Sequence, residues 1–182
     1  MIKKVIMPIE EETIDQLRAG DMVEIYGKIY TGRDAAHKRL TQMLREGAPL
    51  PVDLKGQVMY YVGPCPAKPG QIIGSCGPTT SFRMDAYTPE LLDHGLKGMI
   101  GKGARSEEVI CSIKKNKAVY FAAIGGAGAT IARCVKKAEI AAYSDLGPEA
   151  IYCLYVEGLP CIVAIDCLGN DLYLLGPEQY RI

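Results

Sequence analysis

From end to end, the chain alternates between strand-like and helix-like segments, each separated from the next by a short turn rich in glycine or proline. That alternation points to an α/β domain built on a mixed central sheet. Lys3–Ile9, Met22–Tyr30, Gln57–Val62, Lys97–Ile100, Ala118–Ile124, Ile140–Ser144 and Leu159–Asp166 read as strands. Helices are expected over Glu10–Leu17, Ala35–Glu46, Thr88 to near Gly95, Ser106 to Asn116, and Leu146–Cys153. In Ala35–Glu46, the residues Ala36, Leu40, Met43 and Leu44 fall on one face. Ser106 reads as a helix cap, with Glu107-Glu108 at the start and Lys114-Lys115 at the end, an order that suits the helix dipole. Gly125–Ala132 reads as the start of a closely packed helix, and Asn170–Leu174 as an edge hairpin arm. No repeat, low-complexity tract or long linker interrupts the pattern, so residues 1–182 are read as a single domain.

The totals narrow the function classes. Lys+Arg and Asp+Glu both number 21, a formal net charge of zero, which argues against a nucleic-acid binder or an acidic-membrane binder. No apolar run approaches a membrane span, and Met1–Pro8 turns polar too soon for a signal peptide. The seven cysteines contain no C-x-x-C pair and no zinc-like spacing with histidine, so they read as reduced, mostly buried thiols of a cytoplasmic protein. The chain alone offers no ligand set for a metal or an iron–sulfur cluster. Gly125-Gly126-Ala127-Gly128 lacks the spacing of a dinucleotide-binding loop.

The densest chemistry lies in Gly74-Ser75-Cys76-Gly77-Pro78-Thr79-Thr80-Ser81-Phe82-Arg83-Met84-Asp85, behind the apolar lead-in Gln71-Ile72-Ile73. It reads as a strand, then a tight turn, then a capped helix start, with an anion site at the helix N-terminus competing evenly with plain capping. Thr31-Gly32-Arg33-Asp34 and Gly101-Lys102-Gly103 share its character: each follows an expected strand and joins a glycine to a cation. If the sheet gathers these strand ends, Arg33, Arg83 and Lys102 form a pocket suited to a small dicarboxylate; otherwise they are three unrelated surface turns.

On Tyr30–His37, Gly77–Asp85, Gly101-Lys102-Gly103, Ala118–Phe121, Asp145–Ala150, Ala164-Ile165-Asp166 and Gly169-Asn170-Asp171, the sequence resembles the class I iron–sulfur hydro-lyases. The likeness is to their C-terminal domain or separate β subunit, in fumarate hydratase and tartrate dehydratase. The resemblance implies a swivelling β/β/α domain and a partner α subunit whose cysteines hold a 4Fe–4S cluster. It places Arg33, Arg83 and Lys102 at substrate-carboxylate positions, with Lys102 also catalytic, and Thr79 at the position of the base that takes the C3 proton. Gly32, Arg83-Met84-Asp85-x-Tyr87 and Gly147–Ala150 resemble the fumarate form, with tartrate as the alternative substrate; a non-catalytic anion-binding subunit is a further alternative. The isolated chain is expected to be inactive and to expose a partner-facing surface through which it could self-associate.

Other residues carry weaker expectations. Asp34 and Asp85 are conventional bases but read as orienting groups for neighbouring arginines or loops. His37 reads as a helix-surface or supporting histidine, and His94 as a solvated one or a dipole partner. Cys76 reads as a small packing residue, and Glu149 as a cap or orienting group.

Overall fold

Strands β1 (Lys3–Met7), β2 (Met22–Thr31), β3 (Val58–Tyr60), β4 (Gly98–Gly101) and β5 (Val119–Ala122) run parallel and adjacent in that order. The computed structural model describes residues 1–178. Strand β7 (Ile151–Ile165) runs antiparallel to β5 and carries β6 (Val135–Ala142) beside its first half, so the sheet is mixed, as expected. A second edge of β7 pairs with β2 from Met22↔Ile162 to Tyr30↔Cys153. That pairing closes β2, β3, β4, β5 and β7 into a ring, which removes most of the exposed strand edge an open sheet would leave.

Alternation along the strands sorts side chains into two cores. Val58, Tyr60 and Val62 enter one cluster with Ile25, Ile29, Val119, Phe121 and Val163. Met59 and Tyr61 enter the other, with Leu40, Leu91, Met99, Ile113 and Tyr120. Helices α2 (Asp34–Arg45), α3 (Thr88–Asp93) and α4 (Glu107–Asn116) cover this second cluster. Ile14 of α1 (Glu11–Gln16) and Ile131 of α5 (Gly128–Cys134) pack into the first. The Ser106 hydroxyl accepts from Val109 N–H at 3.4 Å, as its cap reading required. Gly128 packs hard on the loop before it: a Cβ there would lie 2.9 Å from Gly77 N.

Four expectations are corrected. Residues 71–73 form no strand; Cys65 and Gly74-Ser75 instead close the loop on itself through Cys65 N→Ser75 O and Gly74 N→Cys65 O bonds at 2.9 and 3.1 Å. No α-helix opens after Pro78, only a 3-10 turn over Ser81–Met84, with no side-chain cap at Thr80. Residues 144–149 form another 3-10 turn, and the chain is already extended at Ile151, so the helix expected over Leu146–Cys153 is the start of β7. Asp171 bridges Ile165, but Leu172–Glu178 then forms a short helix, α6, rather than a hairpin arm.

Candidate active site

Because β2, β3 and β4 are parallel neighbours, their carboxyl ends lie side by side, the usual place for a ligand in an α/β sheet. Arg33 leaves the end of β2. Residues 79–81 lie along the ends of β3 and β4: Thr79 N–H donates to Tyr61 O at 2.7 Å, Thr80 bridges Lys102, and Ser81 N–H donates to Lys102 O at 2.9 Å. The three cation-bearing turns therefore gather at one end of the sheet. Two of these N–H groups are spent on the neighbouring strands, and no helix follows, so an anion here would be held by side-chain cations rather than by a helix N-terminus.

Asp34 joins the two arginines. Arg83 forks onto it, Nε to Oδ1 at 3.0 Å and Nη2 to Oδ2 at 2.6 Å. Arg33 Nε stands 3.9 Å from the same Oδ2, and Arg33 Nη2 is 3.1 Å from Glu149. Asp34 and Glu149 thus orient the arginines, as read from the sequence. Arg33 Nε is buried and makes no hydrogen bond among the described residues. A side chain at Gly63 would displace the Arg33 guanidinium, since its Cβ would lie 2.8 Å from Arg33 Nη1 and 3.2 Å from Pro148 O. Lys102 is exposed and Thr79 half-buried. The site is an open face: clefts elsewhere, such as the one of about 500 Å³ between residues 70–75 and α5, are lined by none of these four side chains.

Supporting groups sit beneath this face. His37 is fully buried, so of its two readings the helix-surface one is overturned and the supporting one stands. Its Nδ1 lies 2.8 Å from Arg33 O, so that nitrogen carries the proton; Nε2 has no partner among the described residues. Burial pushes the imidazole down to about 4, against the Arg33 hydrogen bond, and the Arg105 charge adds to the fall. Asp85 pairs with Arg105, which the sequence reading passed over: Arg105 Nε meets Asp85 Oδ1 at 2.7 Å in a pair 0% and 8% exposed. The signal was available in the Arg105-Ser106 step at a helix start, but an arginine there reads as surface until the tyrosines around it are known. Cys76 is buried and its thiol is raised to about 11 by burial, which fits a packing role. His94 is exposed, with Nδ1 2.8 Å from Glu90 O.

Among the described residues no three His, Cys, Asp or Glu side chains stand close enough to hold an ion, and of the seven cysteines only Cys65 and Cys111 are exposed. The donors among the described residues do not fit an iron–sulfur cluster. No helix among the described residues is long and apolar enough to cross a membrane.

Residues 2–175 match the family model described as Fumarase C-terminus. The chain belongs to the fumarase C-terminus family. Within that family it is 35% identical over 170 residues to "Fumarate hydratase 2" of Leishmania major and 37% identical over 162 residues to "Fumarate hydratase class I, anaerobic" of Escherichia coli. These alignments cover 91% and 88% of this chain but only 30% of each relative, so the chain spans about a third of the length of those fumarate hydratases. A Methanocaldococcus jannaschii protein provisionally named as an L(+)-tartrate dehydratase subunit beta is 36% identical over 171 residues, covering 91% of this chain and 88% of that protein. The fumarase C-terminus family thus includes this architecture both as part of a longer chain and at nearly this length.

Proposed function

We propose that this chain is the β subunit of an iron–sulfur-dependent fumarate hydratase of the cytoplasm, catalysing reversible hydration of fumarate to L-malate, a reaction of the tricarboxylic acid cycle. The observation that carries the reading is the meeting of Arg33 and Arg83 on one Asp34 carboxylate, at the strand ends that also present Thr79 and Lys102. A carboxylate, two arginines and a lysine on an open face form half a site for a small dicarboxylate. The other half, with a 4Fe–4S cluster, belongs to an α subunit; when bound, the cluster supplies a Lewis acid.

On this reading Arg33, Arg83 and Lys102 hold the two substrate carboxylates and fix the C3 position against Thr79. An aliphatic hydroxyl is a poor base, so its alkoxide needs close positive charge and exclusion of water. Lys102 and Arg83 supply the charge, and a docked partner covers the face. Positioning and charge stabilisation carry most of the barrier reduction.

Tartrate, with one more hydroxyl, is the second reading, favoured by the near-equal length of the M. jannaschii relative. The glycine at 32 separates the two only weakly, because a Cβ there would lie 2.8 Å from Met59 Sδ and 3.3 Å from His37 Cε1, so packing alone demands it. Steady-state assays of the assembled complex on malate and tartrate decide between them. Thr79→Ala should lower kcat by about 10²–10⁴-fold with KM little changed. Near-full turnover by that variant would remove Thr79 as the base, and turnover on neither acid would favour an anion-binding subunit without chemistry.

A further inference from the structure

We infer that Arg105 is a positioning residue that locks the Lys102 turn to the turn bearing Thr79 and Arg83. The inference rests on the hydro-lyase reading for its kinetic consequence and on geometry alone for its structural one. Among the described residues, the Arg105–Asp85 pair alone has both partners under a tenth exposed; the other ion pairs lie at or near the surface. Burying two charges gains little stability over well-packed apolar side chains, so such a pair calls for another explanation.

Its surroundings supply one. The Arg105 guanidinium lies over the rings of Tyr61 and Tyr120, at 5.3 and 5.0 Å from their centroids. Nε donates to Asp85 Oδ1 at 2.7 Å, and Nη2 donates to Thr88 Oγ1 at 2.7 Å. Asp85 Oδ2 accepts from Ser106 N–H at 2.6 Å, so this carboxylate ties the end of the 81–84 turn to the start of α4. From there the links run back through the site. Tyr120 Oη lies 2.9 Å from Ser81 Oγ and donates to Gly103 O at 2.8 Å, while Ser81 N–H donates to Lys102 O at 2.9 Å. Tyr61, whose ring also lies against the guanidinium, accepts the Thr79 N–H through its carbonyl. Gly101 completes the fit, since a Cβ there would collide with the Ser81 hydroxyl. Lys102 and Thr79 are therefore held from both sides by groups that meet at Arg105, whereas Arg33 shares Asp34 with Arg83 but has a separate anchor in Glu149.

A lysine cannot reproduce this arrangement. Its single ammonium cannot reach Asp85 and Thr88 together while lying flat between two rings. The test compares wild type, Arg105→Lys and Tyr120→Phe in the assembled α/β complex, on fumarate and malate, alongside amide hydrogen exchange of this chain. Both variants should lower kcat about tenfold or more while KM rises by a smaller factor, because Arg33, held by Glu149, still captures one carboxylate as Arg83 and Lys102 loosen. Exchange over residues 79–85 and 101–106 should quicken about tenfold, with β1 and β2 unchanged. Should Arg105→Lys fail to fold, Thr88→Val, which removes the oxygen that Arg105 Nη2 donates to, takes its place in the same assays. A kcat within about twofold of wild type, or equal losses in kcat and in KM-limited capture, would overturn the inference. If the wild-type complex hydrates nothing, the functional reading fails while the exchange pattern still upholds or overturns the locking role.

Discussion

Arg83→Lys isolates what a planar fork contributes at this face. Asp34 takes the Nε and one Nη2 hydrogen of Arg83, which leaves the outer edge of the guanidinium for a substrate carboxylate. Lysine keeps the charge but cannot serve Asp34 and a substrate together in that geometry. Losing one hydrogen bond between charged groups amounts to about 1.5–3 kcal/mol, or about a ten- to hundredfold fall in kcat/KM for fumarate. Stability should barely respond. Arg83 and Asp34 side chains are 48% and 32% exposed, so their pairing contributes less than about 1 kcal/mol after solvent screening. For a chain of this length the melting temperature should move by less than about 4 °C. The assay is steady-state kinetics of the assembled complex beside thermal unfolding of the same preparations. Unchanged kcat/KM would refute the role of Arg83 in carboxylate binding, and a large fall in melting temperature would show that it serves the fold instead.

Two further expectations follow from burial. His37 is held neutral in the fold at a value of about 4, below its ordinary 6.5, so the unfolded chain takes up the proton first as pH falls. The stability it contributes is complete above about pH 6.5 and is lost towards pH 4; between pH 7 and pH 5 the loss should be about 2 kcal/mol. Urea unfolding midpoints at the two pH values check this, and an equal or higher midpoint at pH 5 would contradict it. In native thiol labelling read by mass spectrometry, Cys65 and Cys111 should react first, and Cys76, Cys161 and Cys167 only after unfolding; early labelling of Cys76 would mean that the loop opens.

Much of the sheet was legible because its signals were local. The parallel strands β2 to β5 are short β-branched or aromatic runs, and α2 and α4 show one apolar face or a clear cap. Only the second half of β7 was legible, as a strand from Leu159; its first half, which holds Gly158 just before that point, was not read as strand. The structure tolerates Gly158 and Pro160 because β6 pairing stops at Val156 and β5 pairing begins at Ile162, leaving that stretch of one edge free of partners. Gly158 sits there at φ +67°, a conformation suited to glycine. The turn after Pro78 misled in the opposite way. Its hydroxyl residues look like helix caps, yet the N–H groups of Thr79 and Ser81 go to Tyr61 and Lys102, the residues just after β3 and β4, a long-range choice with no trace in the local sequence. The gathering of Arg33, Arg83 and Lys102 depended on strand order, which the sequence does not specify. Arg105 went unseen because only the folded chain places two tyrosine rings around it.

The central claim is that this chain is one half of a site. Its most direct test mixes the purified chain with the proposed cluster-bearing α subunit, prepared without oxygen, and follows the interconversion of malate and fumarate. Hydratase activity should appear only on mixing and should vanish when Arg33 and Arg83 are both replaced by methionine with complex formation intact. Fumarate hydration by this chain alone, or full activity in the doubly substituted complex, would contradict it.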